Sequence, residues 1–371
     1  MSIFLKIILF MQFIAVIWYV PWRLKKLTGS PKRVLVVQII GILALIVTLV
    51  TISNGMFASG SQVIAKLYLM MAFGWVFFTY VFGYLLVAHA VEFIFKKKIN
   101  FKVILIVGVI LCLSLTIRQL IKTQSSFNVR EVVIPVPGLT SPVKVFHVVD
   151  LHLGAFRGKS YLVNFLKEVE DRQPDIIIYN GDLVTSNLVL TEENFDMFQT
   201  VKAEQYYSTG NHDYDIDTDR FLQLLIRGRI VFLRSKMIET HGFQLIGLEY
   251  MNGERNSHYD PLVEMVSDLT IEETLPKIVR NRDLPTILFH HSPVGLRHVV
   301  MGEIDVMLAG NTHSGQLSPV SSLLRLSTPR YSGIIDLDKA IVLVSRGGGN
   351  YEAWLWLGAP FEFELITLIP G

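Results

Sequence analysis

Five short clusters of metal- or proton-handling residues punctuate the second half of this 371-residue chain. They are Asp150-Leu151-His152, Asn180-Gly181-Asp182, Gly210-Asn211-His212-Asp213, His290-His291-Ser292-Pro293 and Gly310-Asn311-Thr312-His313. Carboxylate, amide and imidazole groups are hard-to-borderline oxygen and nitrogen ligands, suited to Mn, Fe, Zn or Mg rather than to a soft metal. A phosphoryl group attacked by water needs its charge neutralised and a nucleophile at neutral pH. Two divalent cations about 3.5–4 Å apart supply both, and a carboxylate between them can bridge the pair. Alone, each cluster is unremarkable: Asp-x-His is a common surface turn, and Asn and Asp cap helices well. Their order and their shared context give them weight, because each one follows a short apolar run.

Those runs, 143–149, 176–179, 205–208, 286–289 and 306–309, predict strands. Helical spacing falls between them at 161–169, 192–201 and 217–226. Further strands are expected at 244–250, 340–344 and 362–368. Strands alternating with helices give an α/β domain. In such a sheet the carboxyl ends of the strands lie side by side, so clusters distant in sequence converge on one crevice. His147 falls inside the first strand and reads as core. Gly347-Gly348-Gly349 lacks the lysine and following helix of a P-loop and reads as a turn.

These clusters together resemble the calcineurin-like metallophosphoesterases. With Ser314-Gly315-Gln316 after His313, they resemble more closely the bacterial membrane-attached branch that carries a Gly-His-Thr-His-Gly-Gly-Gln signature. Val344-Ser345-Arg346-Gly347 and Leu357-Gly358-Ala359-Pro360 also look like that branch. The resemblance covers roughly 143–371 and implies a four-layer αββα sandwich. It further implies two divalent metal ions, with Asp150, His152, Asp182 and His313 on one and Asp182, Asn211, His291 and Asn311 on the other, Asp182 bridging. His212 would face the substrate and protonate the leaving oxygen, a role a histidine beside two cations suits chemically, and Asp213 would orient it. His290 would be a neighbour, not a ligand. Asn311 replaces the first histidine of the signature, so the second metal site is expected to be weak or tuned to a harder ion such as Mn or Mg. The implied activity is hydrolysis of phosphomonoester or phosphodiester bonds. The alternative is a weakened or inactive domain of the same fold used as a binding module.

The first 124 residues are of another kind. The chain is 51% hydrophobic with a mean hydropathy of +0.44, too apolar for a disordered protein. Residues 1–124 hold 13 of the 34 Lys and Arg but only one of the 32 Asp and Glu, namely Glu92. The remainder is therefore acidic, which argues against nucleic acid as its partner. The bases fall between apolar runs at 3–22, 34–53, 67–95 and 103–117. A bilayer core takes about 20 apolar residues of helix, so about four transmembrane helices are expected, the first and fourth with least margin. Five bases in the loop 23–33 and four in 96–102 place those loops in the cytoplasm. The catalytic domain would then be periplasmic or extracellular, near lipid-linked or cell-envelope phosphate esters. The expected organisation is an all-α anchor over 1–124, a linker over 125–142 broken by Pro135, Pro137, Gly138 and Pro142, and the phosphoesterase domain over 143–371. Cys112, the one cysteine, excludes a disulfide framework.

Overall fold

The computed structural model describes residues 17–23, 25, 26, 29, 32, 35, 39, 60–96, 100–125, 127–155, 157–254, 269–312, 332–349 and 361–371. Most of the first two apolar runs, His313 and the segment 357–360 lie outside these residues. Contacts divide the chain into two compact units, 1–57 with 61–124, and 58–60 with 125–371.

The first unit contains α1 (Gln62–Phe95) and α2 (Phe101–Ser125). Ser61 caps α1 by accepting from the Ile64 amide, and the helix stops at Lys96, whose backbone is left-handed. Among the described residues one stretch, Val76–Phe95, is long and apolar enough to cross a membrane; Ile106–Arg118 is a shorter apolar stretch. Leu86, Val87, Val91, Phe93, Ile94 and Phe95 are exposed. Near the end of α1, Glu92 pairs with Arg23 and His89 Nδ1 lies 3.1 Å from the Tyr19 hydroxyl.

The second unit is built on two six-stranded mixed sheets. The first runs β1 (Asn128–Val136), β12 (Glu362–Pro370), β2 (Val143–Val148), β3 (Ile176–Asn180), β4 (Glu204–Ser208) and β5 (Val231–Phe232). The second runs β10 (Gly333–Asp336), β11 (Ile341–Val344), β9 (Val306–Ala309), β8 (Thr286–Phe289), β7 (Phe243–Gly247) and β6 (Lys236–Thr240). The inner strands β3, β8 and β9 are buried along their whole length. That is why their sequences are continuous apolar runs and not alternating ones. Val145, Ile176, Ile178 and Ile366 of one sheet pack against Leu245, Ile287, Val306 and Leu308 of the other.

Helices cover the outer faces. On the first sheet lies α3 (Lys159–Arg172), which buries Tyr161, Leu162, Phe165, Leu166 and Val169 along one stripe. Its Phe165 meets Phe146 and Phe363 edge-on. The short α4 (Glu192–Asp196) and α5 (Thr218–Arg227) follow on the same face, with Phe221 of α5 5.4 Å from the Tyr207 ring. On the second sheet, Ile271 of α6 (Ile271–Thr274) and Leu296 and Val299 of α7 (Leu296–Met301) cover Ile246, Met307 and Val342. The layers are thus helix, sheet, sheet, helix.

The stretch read as a linker departs from expectation. Residues 128–136 form β1, which pairs in parallel register with β12 from Asn128↔Glu362 to Val136↔Pro370. Its prolines mislead because β1 is an edge strand, where a missing N–H on the open side leaves the ladder intact. The helix expected over 192–201 is α4 followed by a 3₁₀ turn at Met197–Thr200.

Candidate metal centre

The clusters after β2 and β3 run side by side at the carboxyl ends of their strands. His152 N–H donates to the Asp182 carbonyl at 2.9 Å, and Leu153 N–H to the Leu183 carbonyl at 3.0 Å. A side chain at Gly181 would collide with His291, and one at Gly210 would collide with Asp182. Both glycines let backbone pass where ligand side chains converge. Asp150, His152, Asp182 and Asn311 all hold left-handed backbone, with φ of 54°, 49°, 54° and 62°. Residues other than glycine are uncommon there, asparagine being the most tolerant of the four, and such positions gather at functional sites.

Asp150, Asp182 and His291 are fully buried, and one ligand atom from each lies within 4.8 Å of the other two. His291 Nε2 is 3.4 Å from Asp182 Oδ2 and 3.5 Å from Asp150 Oδ1. His152 Nε2 faces the same two oxygens at 3.8 and 3.9 Å. His291 Nδ1 donates to the Asn180 carbonyl at 2.8 Å, which fixes the tautomer and aims Nε2 at the carboxylates. Burial opposes charge on His291, yet the facing Asp182 and Asp150 carboxylates raise it to about 9. Burial alone would raise Asp182, but His291, His212 and His152 around it hold it far below the usual carboxylate range. Two carboxyl groups at zero exposure, faced by imidazoles, form a setting that a divalent cation would suit. Asp182 Oδ2 and His291 Nε2 are buried without a hydrogen bond among the described residues, as is Asn211 Oδ1. Two carboxylates and an imidazole with ligand atoms this close fit a divalent metal ion.

The other expected residues are placed as follows. His212 is buried, its ring 5.8 Å from that of His152, and its amide donates to Asp182 Oδ1 at 2.9 Å. Asn311 Nδ2 donates to Ser292 Oγ at 2.6 Å. His290 has both ring nitrogens engaged, Nδ1 at 2.8 Å from the Ser292 carbonyl and Nε2 accepting from the Met251 amide at 3.2 Å. Burial lowers its pKa to about 4. His313 falls outside the described residues.

Asp213 needs correction as the group that orients His212. Its carboxylate accepts from the amides of Asp182, Gly210 and Leu183 at 2.8, 2.8 and 3.2 Å. It buttresses the Asp182 loop. The partner of His212 is Asp215, whose Oδ2 lies 2.8 Å from Nδ1. The reason is local: His212–Tyr214 is a 3₁₀ turn, and at three residues per turn it is i and i+3 that eclipse.

Asn180 opens the second cluster but has no assigned role in the sequence reading. Its Nδ2 lies 3.1 Å from His147 Nε2 and donates to the carbonyls of Leu308 and His290 at 3.0 and 3.3 Å. One amide thus ties β3 of the first sheet to β8 and β9 of the second. Behind it, His147 Nδ1 faces the fully buried Glu364 at 3.4 Å. A polar residue closing an otherwise apolar strand is the one signal the sequence offers for it.

Residues 143–315 match the family model for calcineurin-like phosphoesterases. An uncharacterized metallophosphoesterase of Helicobacter pylori is 25% identical over 66% of this chain and 64% of its own length. A transmembrane protein with metallophosphoesterase domain from Danio rerio is 25% identical over 71% of this chain and 62% of its own length. Each match spans less than two thirds of the relative. Among solved structures, purple acid phosphatase PPD1 from yellow lupin aligns with a TM-score of 0.34 at 16% identity, over 61% of this chain and 47% of that one. Residues 143–315 are therefore similar to the calcineurin-like phosphoesterases.

Proposed function

We propose that this chain is a membrane-anchored, metal-dependent phosphoesterase that hydrolyses phosphate esters at a two-cation centre. The observation that carries it is the convergence of Asp150, Asp182 and His291, fully buried and mutually within reach of one ion. Asp150, His152, Asp182 and His313 would hold one cation, and Asp182, Asn211, His291 and Asn311 the other. When bound, such a pair neutralises phosphoryl charge and makes water nucleophilic at neutral pH. The chain's own groups supply the rest. Asp213 holds the Asp182 loop by three amide hydrogen bonds. Asp215 engages Nδ1 of His212, so proton transfer to the leaving oxygen falls to Nε2. Asn180 fixes His291 through its carbonyl and locks the loop behind it. Asn311 offers a neutral amide where imidazole would bind more firmly, so the second site is the weaker.

The exposed apolar side chains of α1 and the basic loops of residues 1–124 support an anchor of several spans with the domain outside the cytoplasm. There it would act on lipid-linked or cell-envelope phosphate esters. The test is hydrolysis of p-nitrophenyl phosphate and bis-p-nitrophenyl phosphate by the full chain in detergent with Mn²⁺, alongside protease accessibility of the domain in intact cells. Absence of turnover with any divalent ion would instead favour a binding module, and protection from protease would invert the topology.

A further inference from the structure

Arg157 is among the largest side chains wholly enclosed by the domain, at 2% exposure. A tight turn, closed by the Gly154 amide on the Arg157 carbonyl at 3.0 Å, sets it immediately before α3. Its guanidinium carbon lies 4.4 Å from the Phe361 ring centroid and 5.0 Å from that of Tyr161. These two rings fix its plane and hold its stem. Nε and Nη2 are buried with no hydrogen-bond partner among the described residues, and no acidic group among them pairs with the cation. Burial depresses the guanidinium and only the Tyr161 phenol offsets this, yet an arginine stays charged in a protein. An enclosed cation without an anion is costly.

The position of that cation is informative. A Cβ built on Gly349 would strike the Asp150 carbonyl oxygen and lie 2.8 Å from both Arg157 Nη1 and His152 Cδ2. One bare glycine thus separates the Nη1 end of the guanidinium from the backbone of one candidate ligand and the ring of another. Arg157 thus lies beside the Asp150 backbone and the His152 ring, five residues beyond His152 in sequence.

We propose that Arg157 recognises the substrate's phosphoryl group, taking a charged non-bridging oxygen beside His152 and favouring phosphomonoesters over phosphodiesters. The inference rests on the phosphoesterase reading above. A diester carries one negative charge. A monoester carries up to two and has a third terminal oxygen, for which a further fixed donor is an advantage. Guanidinium suits that oxygen because its N–H groups lie in one plane with a charge that does not titrate away. Being caged by two rings, it loses little freedom on engaging the anion.

The experiment uses the full chain in detergent, loaded with Mn²⁺, as wild type, Arg157→Gln and Arg157→Met. Manganese content is measured by mass spectrometry, inorganic phosphate affinity by calorimetry, and kcat/KM on p-nitrophenyl phosphate and bis-p-nitrophenyl phosphate. Loss of one charge-assisted contact predicts phosphate binding weakened about 10- to 100-fold at unchanged manganese content. The loss of kcat/KM should be at least about tenfold greater for the monoester than for the diester, chiefly through KM. Arg157→Met keeps an apolar stem between the rings and replaces Arg157→Gln if the latter does not fold. Unaltered phosphate affinity in either folded variant overturns the assignment, as does equal loss on both esters. Failure of both variants to fold makes Arg157 a strut and overturns it as well. A wild type that takes up no manganese and hydrolyses neither ester would instead defeat the phosphoesterase reading itself.

Discussion

Replacing Asn180 with alanine tests whether the two sheets are locked together at the end where the candidate ligands gather. The amide of Asn180 is fully buried, and its two Nδ2 hydrogens are shared among His147 Nε2, the Leu308 carbonyl and the His290 carbonyl. The Leu308 carbonyl keeps the His290 amide as a second donor at 3.1 Å, so the substitution strands mainly a ring nitrogen and one carbonyl. Each orphaned buried group costs about 1–3 kcal/mol, and the small cavity adds to this. The expected destabilisation is about 3–5 kcal/mol, a large share of the 5–15 kcal/mol typical of a domain. It should be measured by urea unfolding of the full chain in detergent, followed by circular dichroism. Hydrogen exchange read by mass spectrometry should locate the loss at β8 and β9 before β2 and β3. A change below about 1 kcal/mol, or faster exchange spread evenly over both sheets, would refute the idea of a lock.

Other consequences are more direct. Asp215→Asn should lower kcat by about 10- to 100-fold, as for loss of a group that orients a general acid, with manganese content unchanged; a fall in manganese content would place Asp215 in the metal site. Asp213→Ala should destabilise the domain by about 2–4 kcal/mol through its three lost amide bonds, and an unchanged unfolding midpoint would contradict that. Asp182→Ala should abolish both manganese uptake and turnover, so retention of stoichiometric metal would remove Asp182 from the centre. Asn311→His should raise manganese occupancy at the second proposed site, by calorimetry, and two equally tight sites in the unaltered chain would dispose of the proposed asymmetry.

The strands that matter most were legible because they are buried on both faces. The stretches 176–180, 286–289 and 306–309 announce themselves as short apolar runs, and a polar cluster closing each one marks the crevice. Asp150, His152, Asp182 and His291 could be picked out on type and position, and they do face one another. What escaped notice depends on partners far away in the chain. β1 is a strand because β12, more than 220 residues later, lies beside it, and no local pattern reports that. β5, β6 and β10 are short or half-exposed edge strands with weak alternation. Asp215 was hidden by one turn of 3₁₀ geometry. Arg157 looks like any loop arginine until Tyr161 and Phe361 close around it.

The left-handed backbone at position 311 bears on how the domain can change. Asparagine is among the few residues other than glycine at ease at a φ of 62°. Histidine at that position would trade conformational comfort for grip on a cation. Restoring imidazole should therefore lower the melting temperature of the metal-depleted protein even as it improves loading. A descendant that abandoned catalysis would be expected to drift toward glycine or asparagine at 150, 152 and 182, and alanine there would relieve nothing. Position 311 has the residue such drift would reach first, whereas Asp150, His152 and Asp182 hold left-handed backbone with less ease.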